Sequence, residues 1–174
     1  MKQLAAPLVL GLALMAGSSA QAEGINAGIE LQDKVSLADI GLPAYPGAVI
    51  VKEDKNGKED KGAFSFALWG GSFGIKLSLL KYRSPDSMEQ IGAFYRDAMG
   101  RYGKVLDCSV TAPSDDDKSE GKKNISLRCS KDDAKPGKLV IKVGKDEKHF
   151  RMVALERQPK GVEFQLLNLA VNGD

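Results

Sequence analysis

"AFSFALWGGSFGIKLSLL", residues 63–80, decides the fold. Phe64, Phe66 and Leu68 alternate with Ser65, Ala67 and Trp69. After Gly70-Gly71, Phe73, Ile75, Leu77 and Leu79 alternate with Gly74, Lys76 and Ser78. A side-chain period of two marks strands with one buried face, and the glycine pair between them marks a hairpin. Further strands are expected over Ala48 to Glu53, Lys104 to Val110, Asn124 to Ser130, Lys138 to Gly144, Lys148 to Arg157 and Gly161 to Val171. The last is apolar on both faces near its end, at Leu166, Leu167, Leu169, Ala170 and Val171, which suits a central strand. Asn56-Gly57 adds a hairpin signal.

After residue 84 the period lengthens. Met88, Ile91, Tyr95, Ala98 and Tyr102 recur at steps of three and four, with Phe94 beside them, while Arg96, Asp97 and Arg101 fall off that line. Ser84 or Asp86 can cap this helix, Pro85 suits its first turn, and Asp86 with Glu89 fits a capping box. Gly103 is a natural left-handed terminator. This is the only long amphipathic helix expected. The fold class expected is therefore α+β, an antiparallel β-sheet packed on one long amphipathic α-helix, with one disulfide.

Residues 1–22 read as a signal peptide. Lys2 supplies a positive start, Leu4 to Ala16 an apolar run, and Ser18 to Ala22 a small-x-small cleavage pattern. The run is shorter than the roughly 20 apolar residues of a membrane span, and no later stretch could cross as a helix. Residues 23–42 form an N-terminal arm, in which Val35 to Ile40 makes one helical turn capped by Ser36, with Asp39 three residues on. "YPGA", residues 45–48, suits a turn. Residues 43–174 form a single domain. The expected location is periplasmic or secreted, in a bacterium. The chain carries 25 Lys and Arg against 23 Asp and Glu. The two signs alternate along it, which argues against a nucleic-acid partner and for a solvated mixed-charge surface.

Two cysteines in an exported chain imply a disulfide. Cys108 shares its strand face with Leu106 and Val110, and Cys129 shares its face with Ile125 and Leu127. The polar segment between them would let a hairpin bring them together. Closing a loop of about 20 residues is worth on the order of 3 kcal/mol. A reactive thiol is disfavoured, because there is no Cys-x-x-Cys spacing.

Catalytic and metal-binding patterns are not found, and no cofactor is expected. His149 is the sole histidine and reads as an exposed strand-end residue. The acidic runs 54–60 and 114–121 lack the alternating oxygen ligands and central glycine of a calcium loop and read as solvated hairpin tips. "WGGSFG", residues 69–74, lies between strands rather than before a helix, so it is no phosphate loop. Gly70, Ser72 and Gly74 in this stretch spell Gly-x-Ser-x-Gly, but between two strands and not on a strand-to-helix turn, so they make no nucleophile elbow. One binding hint remains. If Phe64, Phe66 and Leu68 face the helix, Trp69 and Lys76 lie on the outer sheet face, where an exposed tryptophan can anchor a ligand or cap the sheet locally.

"GLPAYPGAVIV", "YRSPDSMEQIGAFYRDAMGRYGKV" and the cysteine pair resemble a group of uncharacterised bacterial exported proteins. These carry a Leu-Pro-x-Tyr-Pro-Gly-Ala start and a Phe-Tyr-Arg helix, here Phe94, Tyr95 and Arg96. The resemblance covers Leu42 to Val171. It implies the same architecture and brings no activity with it.

The function expected is an exported non-enzymatic envelope or secreted module that binds a protein, glycan or lipid. The alternative is a secreted enzyme, or an inhibitor of an extracellular hydrolase, with a site assembled from scattered residues. An outer-membrane barrel is disfavoured by the helix and the short strands. Thiol titration of the exported protein is expected to find no free thiol; two per chain would refute the cystine.

Overall fold

The computed structural model describes residues 27–51, 53–55, 58–60, 62–109, 126–133 and 135–173. The signal peptide, Asn56-Gly57, the start of the strand expected at Asn124 and the acidic loop 114–121 lie outside the described residues. So do the side chains of the acidic run 54–60. In chain order the elements are β1 (Ala27–Gln32), α1 (Leu37–Ile40), β2 (Val49–Ile50), β3 (Glu53–Lys55), β4 (Lys58–Asp60), β5 (Ala63–Gly70), β6 (Phe73–Ser84), α2 (Met88–Gly100), β7 (Leu106–Asp107), β8 (Lys138–Asp146), β9 (His149–Gln158) and β10 (Gly161–Asn172).

One antiparallel sheet dominates, in the order β1-β5-β6-β10-β9-β8-β7, with β2 pairing the end of β6 beyond β5. β3 and β4 form a separate hairpin. This corrects the expected α+β class. The described residues are mostly antiparallel sheet, and the helices are two short ones, α1 and α2, rather than one long helix that organises a sheet. The expected helix starts later and ends earlier than its expected caps imply. Ser84 stays in β6, and Ser87 caps α2 in a box with Gln90, in place of Ser84 or Asp86. The helix stops at Gly100, ahead of Gly103, which takes a φ of 131°. Gly100 and Gly103 disfavour another helical turn.

The segment expected as an arm is part of the fold. β1 adds a strand beside β5. The Ser36–Asp39 capping box closes α1 as its sequence requires, and Ile40 and Leu42 are fully buried. Three expected strands shrink, Ala48 to Glu53 pairing with β6 only at Val49–Ile50. Only Leu106–Asp107 pairs after the helix, and residues 126–130 form no strand. The last strand, β10, is central, as its two-faced apolarity indicates.

The core lies between the helices and one face of the sheet. Alternate residues supply it: Leu80 and Tyr82 of β6, Phe164 and Leu166 of β10, Val153 and Leu155 of β9, and Leu139, Ile141 and Val143 of β8. α2 sets Met88, Ile91, Tyr95 and Met99 on them. Gly92 brings the helix close: a Cβ there would lie 2.6 Å from Leu139 Cδ2. Phe164 is the aromatic hub, stacked on Tyr82 at 5.6 Å and in contact with Tyr95 and Tyr45. Tyr95 donates its hydroxyl to the Pro43 carbonyl, and burial pushes its pKa up. Phe164→Ala is expected to cost about 3–5 kcal/mol, because the surrounding rings cannot collapse into the space. Urea unfolding of the variant measures it.

Candidate functional site: the sheet face opposite the helices

β-strand side chains alternate, so the register that buries Leu80 and Leu166 sends Leu79 and Leu167 to the opposite face. Three apolar rows cross that face. Ile29, Leu68, Ile75 and Val171 form the first. Leu31, Phe66, Leu77, Leu169 and Phe150 form the second. Phe64, Leu79, Leu167 and Met152 form the third. Ile29 and Leu31 are 71% and 68% exposed, and Phe64 is 39% exposed. The inner members are part-buried by their strand neighbours. No described helix lies on this face.

Past the apolar rows the same face turns polar. Lys81 and Gln165 come next, then Arg83, Glu163, Glu156 and Lys138. Glu163 takes ion pairs from Lys81 at 3.3 Å and from Arg83, while Lys138 lies 3.8 Å from Glu156. Burial raises the Glu163 pKa, but the hydrogen bonds from Arg83 and Lys81 outweigh it, so its carboxyl stays ionised below the usual range. A shallow depression of about 400 Å³ lies among these groups.

The disulfide covers the far end of the face. Cys108 and Cys129 are bonded, with Cα atoms 5.4 Å apart, and both are buried with Val140 against Leu106, Met152 and Ala154. Cys108 follows the edge strand β7, and Cys129 sits in an irregular segment rather than in a partner strand. The cystine therefore straps residues 126–133 across β8. A buried ion pair, Lys142 to Asp133 at 2.6 Å, and a bond from Lys142 to the Arg128 carbonyl hold the same segment. Lys142 ends the third row, so the apolar rows stop where this strap begins.

Trp69 and Lys76 do not lie where the sequence pattern put them. Both stand on the helix side of the sheet, and Phe64, Phe66 and Leu68 face away from it. The reason lies in α1. Under it the sheet offers small or polar side chains: Ser65 and Ser78, whose hydroxyls meet at 3.5 Å, and Asn168. The last carbonyls of a helix need donors, and here side chains supply them. Asn168 donates to the Asp39 carbonyl at 2.8 Å, Arg151 to that of Ile40 at 3.1 Å, and Arg101 and Tyr102 to that of Gly41. Arg151 also lies 4.0 Å over the Tyr102 ring. Phenylalanine at position 65 would displace α1. Lys76 pairs with Asp39 at 2.9 Å. Trp69 lies across β1 at Gly28, where a Cβ would meet its ring at 2.5 Å, and stays 41% exposed.

His149 Nδ1 sits 3.1 Å from Asp146 Oδ1 at the β8–β9 turn. Among the described residues no three His, Cys, Asp or Glu converge as a metal site, and no helix is long and apolar enough to cross a membrane. The apolar rows escaped the sequence pattern, although a signal was present. Leu79 and Leu80 are adjacent and both apolar, so apolar residues change phase within β6 and mark both of its faces.

The hydrogen bonds from Lys76 and Ser36 pull the Asp39 carboxyl from 3.8 to about 2. A depressed carboxylate stabilises the fold above its unfolded pKa and loses that contribution as pH falls through its folded one. Asp39→Asn is expected to cost a few tenths to about 1 kcal/mol near neutrality, since the pair is partly exposed. Its urea midpoint should converge on that of the parent chain as pH falls from 4 to 2. No protein-family model, curated protein or solved structure matches this chain.

Proposed function

We propose that the chain is an exported, non-enzymatic binding module of the periplasm or exterior, and that the apolar sheet face is its binding surface. The observation that carries this reading is the three rows of hydrocarbon side chains over five adjacent strands. Contiguous exposed apolar patches of several hundred Å² mark interaction sites on soluble proteins. The thirteen side chains of the rows span a footprint of roughly 450 Å², with strands about 4.8 Å apart and rows about 7 Å apart, in which Ile29, Leu31 and Phe64 are exposed and the others half-buried. Side chains of this kind offer shape and hydrocarbon and no proton to transfer. The charged groups beside them are engaged with one another, Arg83 and Lys81 with Glu163, and so favour a rim over a reaction centre.

The folded protein is expected to bind the apolar probe 1-anilinonaphthalene-8-sulfonate with a defined stoichiometry. Leu77→Lys, in the middle of the second row, should abolish that binding and leave the thermal transition cooperative. Lack of probe binding by the native parent chain would sink this reading.

A further inference from the structure

We infer that the edge of β5 is a strand-acceptor site, filled in the monomer by the chain's own β1, and that it takes the β1 of a second copy in exchange. This goes beyond the binding-surface reading and does not rest on it.

Among the described strands β1 pairs with β5 alone, at the end of the sheet, in a register that runs from Ala27–Gly70 to Gln32–Ser65. Of its residues only Gly28 is even half-buried, and Ile29 and Leu31 are exposed. Its polar side chains turn to each other, the Gln32 amide donating to Glu30. β1 is therefore held by its backbone ladder with little apolar burial, and a segment of that kind opens at a lower free energy than the core strands. The chain is fixed again close by. Val35 packs on the main core and Ser36 caps α1, so Asp33 and Lys34 are the residues that turn when β1 leaves. What it leaves is an unpaired edge on β5, with Phe64, Phe66 and Leu68 on one face, a template for another strand.

Which strand fits is decided at Trp69. Its ring lies where a side chain at position 28 would stand: a Cβ there would meet Cζ2 at 2.5 Å and Cε2 at 2.8 Å. The neighbouring pair is tight as well, since a Cβ at Gly70 would lie 3.3 Å from that of Ala27. The edge therefore admits glycine opposite Trp69 and a small residue before it, followed by apolar side chains opposite Leu68 and Phe66. A foreign strand without this glycine must displace the ring. A second copy brings Ala27, Gly28, Ile29 and Leu31 in the same register. The arriving strand restores each bond that the leaving one broke, the condition under which strand exchange gives a dimer at low cost. It also keeps the apolar rows complete.

The test uses the whole protein carrying Ala27→Cys and Gly70→Cys, whose Cβ separation suits a disulfide. It is held at high concentration in sub-denaturing urea, and any dimer is isolated by gel filtration, oxidised with copper phenanthroline and run on a non-reducing denaturing gel. A dimer whose two chains are cross-linked to each other is expected. While monomer predominates, its ratio to monomer should rise about tenfold for a tenfold rise in concentration. A dimer that yields only cross-links within each chain has β1 still in place and overturns the inference, as does the absence of a dimer. Trp69 is the only tryptophan in the chain, so its emission reports on the site. Gly28→Val in the otherwise native chain is expected to move that emission to longer wavelength and abolish the dimer while the thermal transition stays cooperative. Unchanged emission with the dimer intact, or loss of the cooperative transition, overturns the inference. Amide exchange of the native monomer needs no variant. The hydrogen-bonded amides of β1 should exchange about a hundredfold faster than those of β10, and equal protection of the two strands overturns the inference.

Discussion

The register between β6 and β10 is the constraint on which the rest depends. Eleven residue pairs, from Val162–Ser84 to Asn172–Gly74, fix it in the middle of the sheet. With a side-chain period of two, one choice settles both faces. Leu80, Tyr82, Phe164 and Leu166 go under the helices, and Leu77, Leu79, Leu167 and Leu169 go to the opposite side. A slip of β10 by one residue would turn its two sets over and put Asn168 on the wrong face. α1 would then lose the Asn168 amide on its final turn. The polar ties of α1 and the apolar packing of α2 therefore select the same register.

The two faces are covered by different means. On the helix side, α2 buries an aromatic and aliphatic core, and α1 is held mostly by donors to its terminal carbonyls. On the other side, the described covering is the strap 126–133, held by the cystine and the Lys142–Asp133 pair. It reaches β8 and the edge of β9, where Val140, Met152 and Ala154 pack on it. β1, β5, β6 and β10 carry their apolar rows beyond its reach. A buried pair such as Lys142–Asp133 is costly to desolvate. Here the Arg128 carbonyl takes a further ammonium proton and Asp133 also accepts from the Ser130 amide, so both charges are satisfied.

Much of the fold was legible in local chemistry. The hairpin of residues 63–80, the capped turn at Ser36, the central position of the last strand and the cystine all follow from period, caps, two-sided apolarity and cysteine count. The balance between helix and sheet was not legible. The run from Met88 to Tyr102 has a helical period, but β6 holds Ser84, so the helix begins only at Met88, and glycines at 100 and 103 end it before Tyr102. The strand expected around Cys129 failed for a related reason. Alternation over a few residues does not supply a pairing partner, and β8 already has β9 on one side and β7 on the other. The candidate site was half visible. Phe64, Phe66 and Leu68 were recognised as one face, and that face was assigned to the helix because buried apolar residues are expected under helices.

By itself the sequence determined which residues alternate, where chains turn and cap, and that the two thiols pair. These properties depend on residues within a few positions of one another, or on the presence of two cysteines. Only the tertiary structure decided which face of each strand the helices cover. A period of two separates a strand's side chains into two sets without saying which set lies inside. That choice was made by groups distant in the chain, the terminal carbonyls of α1 and the donors of Asn168 and Arg151. It left the apolar rows on the face opposite the helices.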